Sequence, residues 1–138
     1  MKNDNCIFCK LANGDIPTNS IYEDENFNVI LDVSPIEKGH ALVLPKNHYA
    51  DIYEIPEAIL AEAVKLAQKA IKHETPILGC EGYNVLQYNG EAAGQTVFHF
   101  HLHMVPRYKK ETDSSLLNWT AGTINEEELK ELKSQMEF

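Results

Sequence analysis

Apolar and polar positions alternate between two periods along this chain, and that switching predicts most of its elements. Phe27-Asn28-Val29-Ile30-Leu31-Asp32-Val33 and Ala41-Leu42-Val43-Leu44 are β-rich runs. The segment between them, Ser34-Pro35-Ile36-Glu37-Lys38-Gly39, carries the Pro and Gly of a turn, so the two runs read as an antiparallel pair. From Pro56 to about His73 the period lengthens: Leu60, Ala63, Val64, Ala67 and Ile71 recur at helical spacing, with Glu62, Lys65, Lys69 and Lys72 elsewhere. This predicts an amphipathic helix that opens on a proline and stops before Pro76, with His73 in its last turn, where a cation suits the helix dipole. A second strand pair follows, about Tyr83 to Tyr88 and Thr96 to Val105, joined by Asn89-Gly90-Glu91-Ala92-Ala93-Gly94-Gln95. Thr123 then offers an N-cap, Glu126 to Glu128 an acidic first turn, and Leu129, Leu132 and Met136 a short, peripheral last helix.

The resulting order, hairpin, helix, hairpin, helix, predicts an α+β fold: an antiparallel sheet with one long helix packed on a face. One domain over 1–138 suffices, with a core at about 4–108 and a tail and helix at 109–138. No internal repeat or low-complexity segment interrupts it.

Composition narrows the partners. In a chain of 138 residues, 43% hydrophobic, a formal charge of −9 argues against a general affinity for nucleic acid or anionic membrane, which would require a basic face. A small anion would have to be held locally, by loop amides and by cations such as Lys38, Lys46 or Arg107. There is no run of eighteen apolar residues and no signal-peptide pattern, so a cytoplasmic setting is expected. Three cysteines there make no disulfide framework. Cys80 reads as a buried thiol, whereas Cys6-Ile7-Phe8-Cys9 is a CxxC that fits half a zinc site or a redox pair.

The predicted strand Thr96-Val97-Phe98-His99-Phe100-His101-Leu102-His103-Met104-Val105 sets three histidines at alternate positions. On a strand they share one face, while Phe98, Phe100, Leu102 and Met104 share the core face. A lone strand histidine is ordinarily a core or surface residue. Three in register are costly to bury side by side, and packing alone does not explain them. A neutral imidazole is a nucleophile towards phosphorus, a neighbour's C=O or N–H can fix its tautomer, and a third ring can donate to a phosphate oxygen. The preceding Gly94-Gln95-Thr96 supplies an amide, a hydroxyl and backbone N–H groups suited to phosphate. A catalytic metal on the three rings is the rival reading. Three alternate positions on one strand converge poorly on an ion, and no nearby carboxylate completes the set.

With these residues in hand, the sequence resembles the histidine triad nucleotide hydrolases and transferases, whose signature is His-φ-His-φ-His-φ-φ with φ apolar. Every His and φ position is matched by His99 to Val105. The likeness runs from Cys6-Ile7-Phe8-Cys9 through Asp32, Gly39-His40 and Pro45-Lys46-Asn47-His48 to Arg107, and fades beyond. It implies a five-stranded antiparallel sheet with one long helix and a short C-terminal helix. It also implies a nucleotide-binding hydrolase or transferase acting at the α-phosphate of a purine nucleotide or nucleotide conjugate, such as an AMP or GMP derivative. His101 would attack the α-phosphorus to form a nucleotidyl-histidine, which water hydrolyses to a nucleoside monophosphate. His103 would contact the phosphate, His99 would set the tautomer and position of His101, and His40 would support the network. Gly94, Gln95 and Thr96, with Asn89 nearby, would line the phosphate and leaving-group side; Asp32 would hold the ribose; Ile7, Phe8, Leu11, Ile30 and Val33 would form the base slot.

The same resemblance implies a structural zinc on Cys6, Cys9, His48 and His99, and a homodimer that joins two small sheets through an edge strand. Phosphoramidate hydrolysis is the expected reaction. Dinucleoside polyphosphate hydrolysis and a regulatory nucleotide-binding module with little turnover are the alternatives.

Overall fold

The computed structural model describes residues 1–109 and 121–138; Trp119, whose role the sequence leaves open, lies outside the described residues. The elements in chain order are α1 (Ile7–Ala12), β1 (Ser20–Glu23), β2 (Phe27–Leu31), β3 (Ala41–Pro45), α2 (Glu57–Leu78) and β4 (Gly82–Leu86). A single 3-10 turn, Glu91–Ala93, precedes β5 (Leu102–Arg107) and α3 (Glu126–Met136). The five strands form one antiparallel sheet in the order β1-β2-β3-β5-β4. The expected α+β architecture, with its long helix and short C-terminal helix, is the one found.

Strand alternation divides the sheet's two faces. Val29, Leu31, Val43, Leu102 and Met104 point to the face covered by α2, where they pack with Phe100 and the helix's Ala63, Leu66, Ala67 and Ala70. Ile30, Leu42 and Leu44 point to the opposite face and pack with Phe8, Leu11 and Ala12 of α1. His103 pairs in register with Leu42 and so shares the α1 face. The chemistry therefore lies on the side of the sheet away from the long helix.

Several sequence expectations change. Helix α2 continues through Pro76 to Leu78 and ends at Gly79, whose φ of 66° and N–H bond to the Thr75 carbonyl close it. Only the last turn follows the proline, so the lost bond and the ring's steric clash fall where the helix is ending anyway. His73 consequently lies inside the helix, with Nε2–H donating to the Glu137 carbonyl at 3.0 Å and its ring against Phe138. The apolar stripe is rotated from the one predicted: Leu66 and Ala70 are buried and Val64 is exposed, since small alanines let the helix lie close to the sheet. Helix α3 starts at Glu126 with Asn125, not Thr123, as its N-cap, accepting from the Glu128 N–H. Its Leu129, Leu132 and Met136 enter the main core, so it is not peripheral.

Strand β5 begins only at Leu102, not at Thr96. Upstream, the Phe100 N–H bonds the Tyr49 carbonyl at 2.6 Å, and Phe98 is 48% exposed instead of lying on the core face. The chain is drawn off the sheet by what His99 meets there.

Candidate functional site

His99 is fully buried where the segment before β5 crosses α1 and the loop after β3. Its Nε2–H donates to the Pro45 carbonyl at 2.8 Å, which leaves Nδ1 bare. That nitrogen faces Cys6 Sγ at 3.4 Å and Cys9 Sγ at 3.3 Å, and His48 Nδ1 is 3.3 Å from the Cys9 sulfur. All four donor atoms lie within 4.8 Å of one another.

This donor set fits zinc. Bonds of about 2.3 Å to sulfur and about 2.0 Å to nitrogen place tetrahedral S and N ligands roughly 3.5 Å apart, close to the separations here. The carbonyl bond on the far nitrogen of His99 is the kind of outer contact that orients metal-bound imidazoles. Cys6 Sγ also caps α1 by accepting the Cys9 N–H, and Cys9 Sγ accepts the Asn3 N–H, both at 3.3 Å. Burial pushes the Cys9 thiol up, so a cation is what would hold it as a thiolate.

His101 follows on the α1 face. Its Nδ1 stands 2.6 Å from the His99 carbonyl oxygen, and a carbonyl only accepts, so Nδ1 carries the proton and Nε2 presents its lone pair. Desolvation lowers its pKa, which keeps the ring neutral and the lone pair available. The ring meets Phe8 edge-on at a centroid distance of 4.8 Å and lies 4.8 Å from His103.

A second chain of contacts fixes His103. The Ile36 N–H can only donate, and it bonds His40 Nδ1 at 3.1 Å. His40 therefore carries its proton on Nε2, directed at His103 Nδ1 3.0 Å away, so His103 is protonated on Nε2. Burial lowers His40 to about 4, with Asp32 opposing and Arg107 adding to the shift. Burial and the adjacent His101 and His40 lower His103 to about 3. Both rings are neutral at pH 7, and the 3.7 Å approach of Asp32 Oδ2 to His40 Nε2 is a contact with a polarised N–H, not an ion pair.

Asp32, His40 and His103 also bring three potential ligand atoms within 4.8 Å of one another. A metal there would require the His40 proton to move to Nδ1, where it would oppose the Ile36 N–H. The cluster is better described as a hydrogen-bonded relay than as a metal seat.

Beside the triad is a cavity of about 540 Å³ lined by Phe8, Leu11, Ile30, Asp32 and Val33, together with Leu42 and residues of the β1 approach and α3. Its size suits a nucleoside-scale ligand. Five expected site residues are not among those that line this cavity. Ile7 is 50% exposed and lines a separate shallow cavity, whereas Phe8, about 100° round the helix from it, lines the large one. Thr96 lines the same shallow cavity as Ile7, next to Cys6 and His48.

Gly94 and Gln95 use their N–H groups within the loop, to the carbonyls of Glu91 at 3.0 Å and Gly90 at 3.1 Å. Both protons of the Gln95 side-chain amide are also committed, to Ala50 at 2.7 Å and Val97 at 3.1 Å, so it has no donor left for phosphate. Asn89 accepts the Ile52 N–H and exchanges hydrogen bonds with Gln87, tying its loop to the one before α2. Two of the three candidate cations are committed too: Lys46 pairs with Glu23 at 2.7 Å, and Arg107 donates to Asn84 at 2.6 Å and approaches Glu37.

Sequence reasoning missed Leu42, Asn19, Glu126 and Lys130 on the cavity wall. They come from three distant segments, and no local pattern marks them.

Residues 13–110 match the HIT domain family. The Hit protein of Bacillus subtilis is 47% identical over 111 residues, covering 78% of this chain and 74% of its own. An adenosine 5′-monophosphoramidase of Schizosaccharomyces pombe is 39% identical over 131 residues, covering 95% of each. Among solved structures, a histidine triad nucleotide-binding protein of Sulfolobus tokodaii superposes with a TM-score of 0.84 at 30% identity, covering 95% of this chain and 89% of its own. A zinc-bound histidine triad family protein of Mycobacterium smegmatis has a TM-score of 0.79 at 37% identity, covering 95% and 92%.

Proposed function

The chain belongs to the HIT family, and from that premise we propose that it is a nucleotidyl hydrolase that cleaves nucleoside phosphoramidates at the α-phosphate. The observation that carries this reading is the His99 carbonyl holding the His101 Nδ1 proton, which aims a neutral Nε2 lone pair beside a nucleoside-sized cavity. The family kinship with adenosine 5′-monophosphoramidases supports the same reaction.

His101 Nε2 attacks the α-phosphorus, the P–N bond breaks, and the amine leaves with a proton from solvent. The resulting imidazolium keeps its Nδ1–H on the His99 carbonyl, which stabilises the positive ring. Water then attacks phosphorus, releasing the nucleoside monophosphate and neutral His101. The Nε2–H of His103, oriented through His40, donates to a non-bridging phosphate oxygen. Asp32 accepts from the ribose hydroxyls, and Phe8, Leu11, Ile30 and Val33 enclose a purine.

Zinc on Cys6, Cys9, His48 and His99 is structural: four protein ligands leave no position open for substrate or water. It would clamp α1 and the chain after β3 to the residue whose carbonyl orients the nucleophile. The thiols it needs suit a reducing, cytoplasmic setting. Among the described residues, no helix is long and apolar enough to cross a membrane. The chain acts as a homodimer through β4, an edge strand whose Val85 is exposed; α2 also exposes Val64 and Ile77.

Steady-state kinetics with adenosine 5′-phosphoramidate and diadenosine polyphosphates test the reaction. The phosphoramidate should be turned over with higher kcat/KM, and acid-labile label from an α-³²P donor should map to His101. Label on another residue, or turnover retained by His101→Gly, contradicts the assignment. Sedimentation of the wild type against Val85→Asp tests the dimer, which the buried charge should split.

A further inference from the structure

One wall of the large cavity belongs to α3 and has no part in the reading above. Glu126 and Lys130 line it, four residues apart and so on one face of the helix. The helix is fixed from its other side by Leu129, Leu132 and Met136 in the core, and at its start by the Asn125 cap. Lys133, directed elsewhere, pairs with Glu137 at 2.9 Å. Among the described residues, neither the Glu126 carboxylate nor the Lys130 ammonium has an ion-pair or hydrogen-bond partner.

The same cavity is lined by the apolar residues Phe8, Leu11, Ile30 and Leu42 and by Asp32, with Phe8 against His101 and Asp32 against His40. A nucleotide with its phosphorus at His101 and its ribose at Asp32 would place its base among these apolar residues, in the cavity that Glu126 and Lys130 also line. Carboxylate only accepts and ammonium only donates. Guanine presents N1–H and N2–H donors side by side, suited to one carboxylate, next to the O6 acceptor, suited to a cation. Adenine presents a single N6 donor group beside the N1 acceptor, and leaves the carboxylate without a second proton.

We propose that Glu126 and Lys130 read the edge of the base, and that the site takes guanine nucleotides in preference to adenine nucleotides. This rests on the nucleotide-hydrolase reading and adds to it the residues that choose the base. A carboxylate that pairs bidentately with the correct base discriminates by roughly 10- to 100-fold.

Kinetics with guanosine, inosine and adenosine 5′-phosphoramidates, on the wild type, Glu126→Ala and Lys130→Ala, test it. The wild type should favour guanosine over adenosine by about tenfold or more in kcat/KM, with inosine between because it lacks the 2-amino group. Glu126→Ala should lower kcat/KM for guanosine about tenfold or more, through KM, and leave adenosine within about twofold. Equal use of guanosine and adenosine by the wild type overturns the proposal, as does a loss in Glu126→Ala that is the same for every base. Calorimetry with GMP and AMP separates this from the hydrolase reading. If no phosphoramidate is turned over, the hydrolase reading fails while a GMP preference that Glu126→Ala abolishes still upholds the base-reading pair. A GMP to AMP ratio unmoved by the substitution removes it.

Discussion

His99 faces two ways: its carbonyl oxygen holds the Nδ1 proton of His101 at 2.6 Å, while its own Nδ1 stands 3.3 Å from the sulfur of Cys9. One residue thus belongs to both the candidate zinc cluster and the candidate nucleophile. Its ring cannot serve the reaction directly, because both nitrogens are committed, to the Pro45 carbonyl and to the thiols. What it contributes to His101 is backbone, and that backbone is placed by the cluster.

Zinc removal should therefore lower activity as well as stability. Protein purified without chelator should contain about one zinc per chain, by elemental analysis. His48→Ala, which removes a half-buried ligand, should weaken metal retention and lower Tm by several degrees. It should also reduce kcat, although His48 does not touch the cavity. A fully active, equally stable metal-free protein would show that the cluster is not a zinc site.

His40 offers a test of the relay. In His40→Phe, the His103 Nδ1 loses its donor and the ring loses its tautomer preference, so kcat should fall on the order of 10- to 100-fold with a smaller change in KM. Stability carries an independent signature. The folded pKa of about 4 lies below the unfolded value of 6.5, so the unfolded chain binds the proton first as pH falls. The contribution is complete above pH 6.5 and is lost on acidification towards pH 4, on the order of 3 kcal/mol for this ring. Urea unfolding at pH 7 and pH 5 should show a shallower decline for the variant than for the wild type.

The sequence made the triad, strands β2 and β3, and the body of α2 legible because each carries a repeated period. It hid α1, whose six residues are too few to show one, and whose N-cap is a cysteine rather than Ser, Thr, Asp or Asn. It hid β1, a four-residue edge strand with a register shift at Ser20/Tyr22. The alternating histidines read as one continuous strand, yet the Pro45 and Tyr49 carbonyls capture the His99 ring and the Phe100 N–H and pull that stretch off the sheet. Local alternation cannot register contacts made with residues about fifty positions away. In the loop before the triad, the Gly94 and Gln95 N–H groups bond within the turn and the Gln95 amide bonds the Ala50 and Val97 carbonyls, commitments that local sequence does not register either.

Glu74 predicts a pH effect of opposite sign. It is fully buried on the core face of α2; Tyr83 donates to Oε2 at 3.3 Å, and Oε1 has no partner among the described residues. Burial raises its pKa to about 8, so the folded protein holds a proton that the unfolded chain releases near 4.5. Stability is thus lost as pH rises from about 4.5 to 8. Glu74→Gln cannot titrate. Its stability relative to wild type should rise by on the order of 1 kcal/mol per pH unit between pH 5 and 7.5, read from paired denaturation curves. A constant difference between the two proteins would mean that Glu74 is ionised when folded.

Gly39 couples packing to the relay most directly. It precedes His40 with φ of 92°, a conformation that glycine adopts without steric cost. A Cβ there would also stand 2.7 Å from Leu78 Cδ1 and 3.1 Å from Pro106 Cγ. The tip of the partly buried Leu78 side chain can shift, but Pro106 is held by its pairing with Tyr83 and the positive φ strains the backbone of 38–40 wherever the leucine goes. Gly39→Ala should cost about 1–3 kcal/mol of stability. It should also displace the His40 ring from the Ile36 N–H and from His103, lowering kcat more than it raises KM. Comparison with Gly79→Ala separates the two effects. Gly79 also has positive φ, at 66°, but nothing lies within 4 Å of an added Cβ, so its variant should lose stability while keeping kcat.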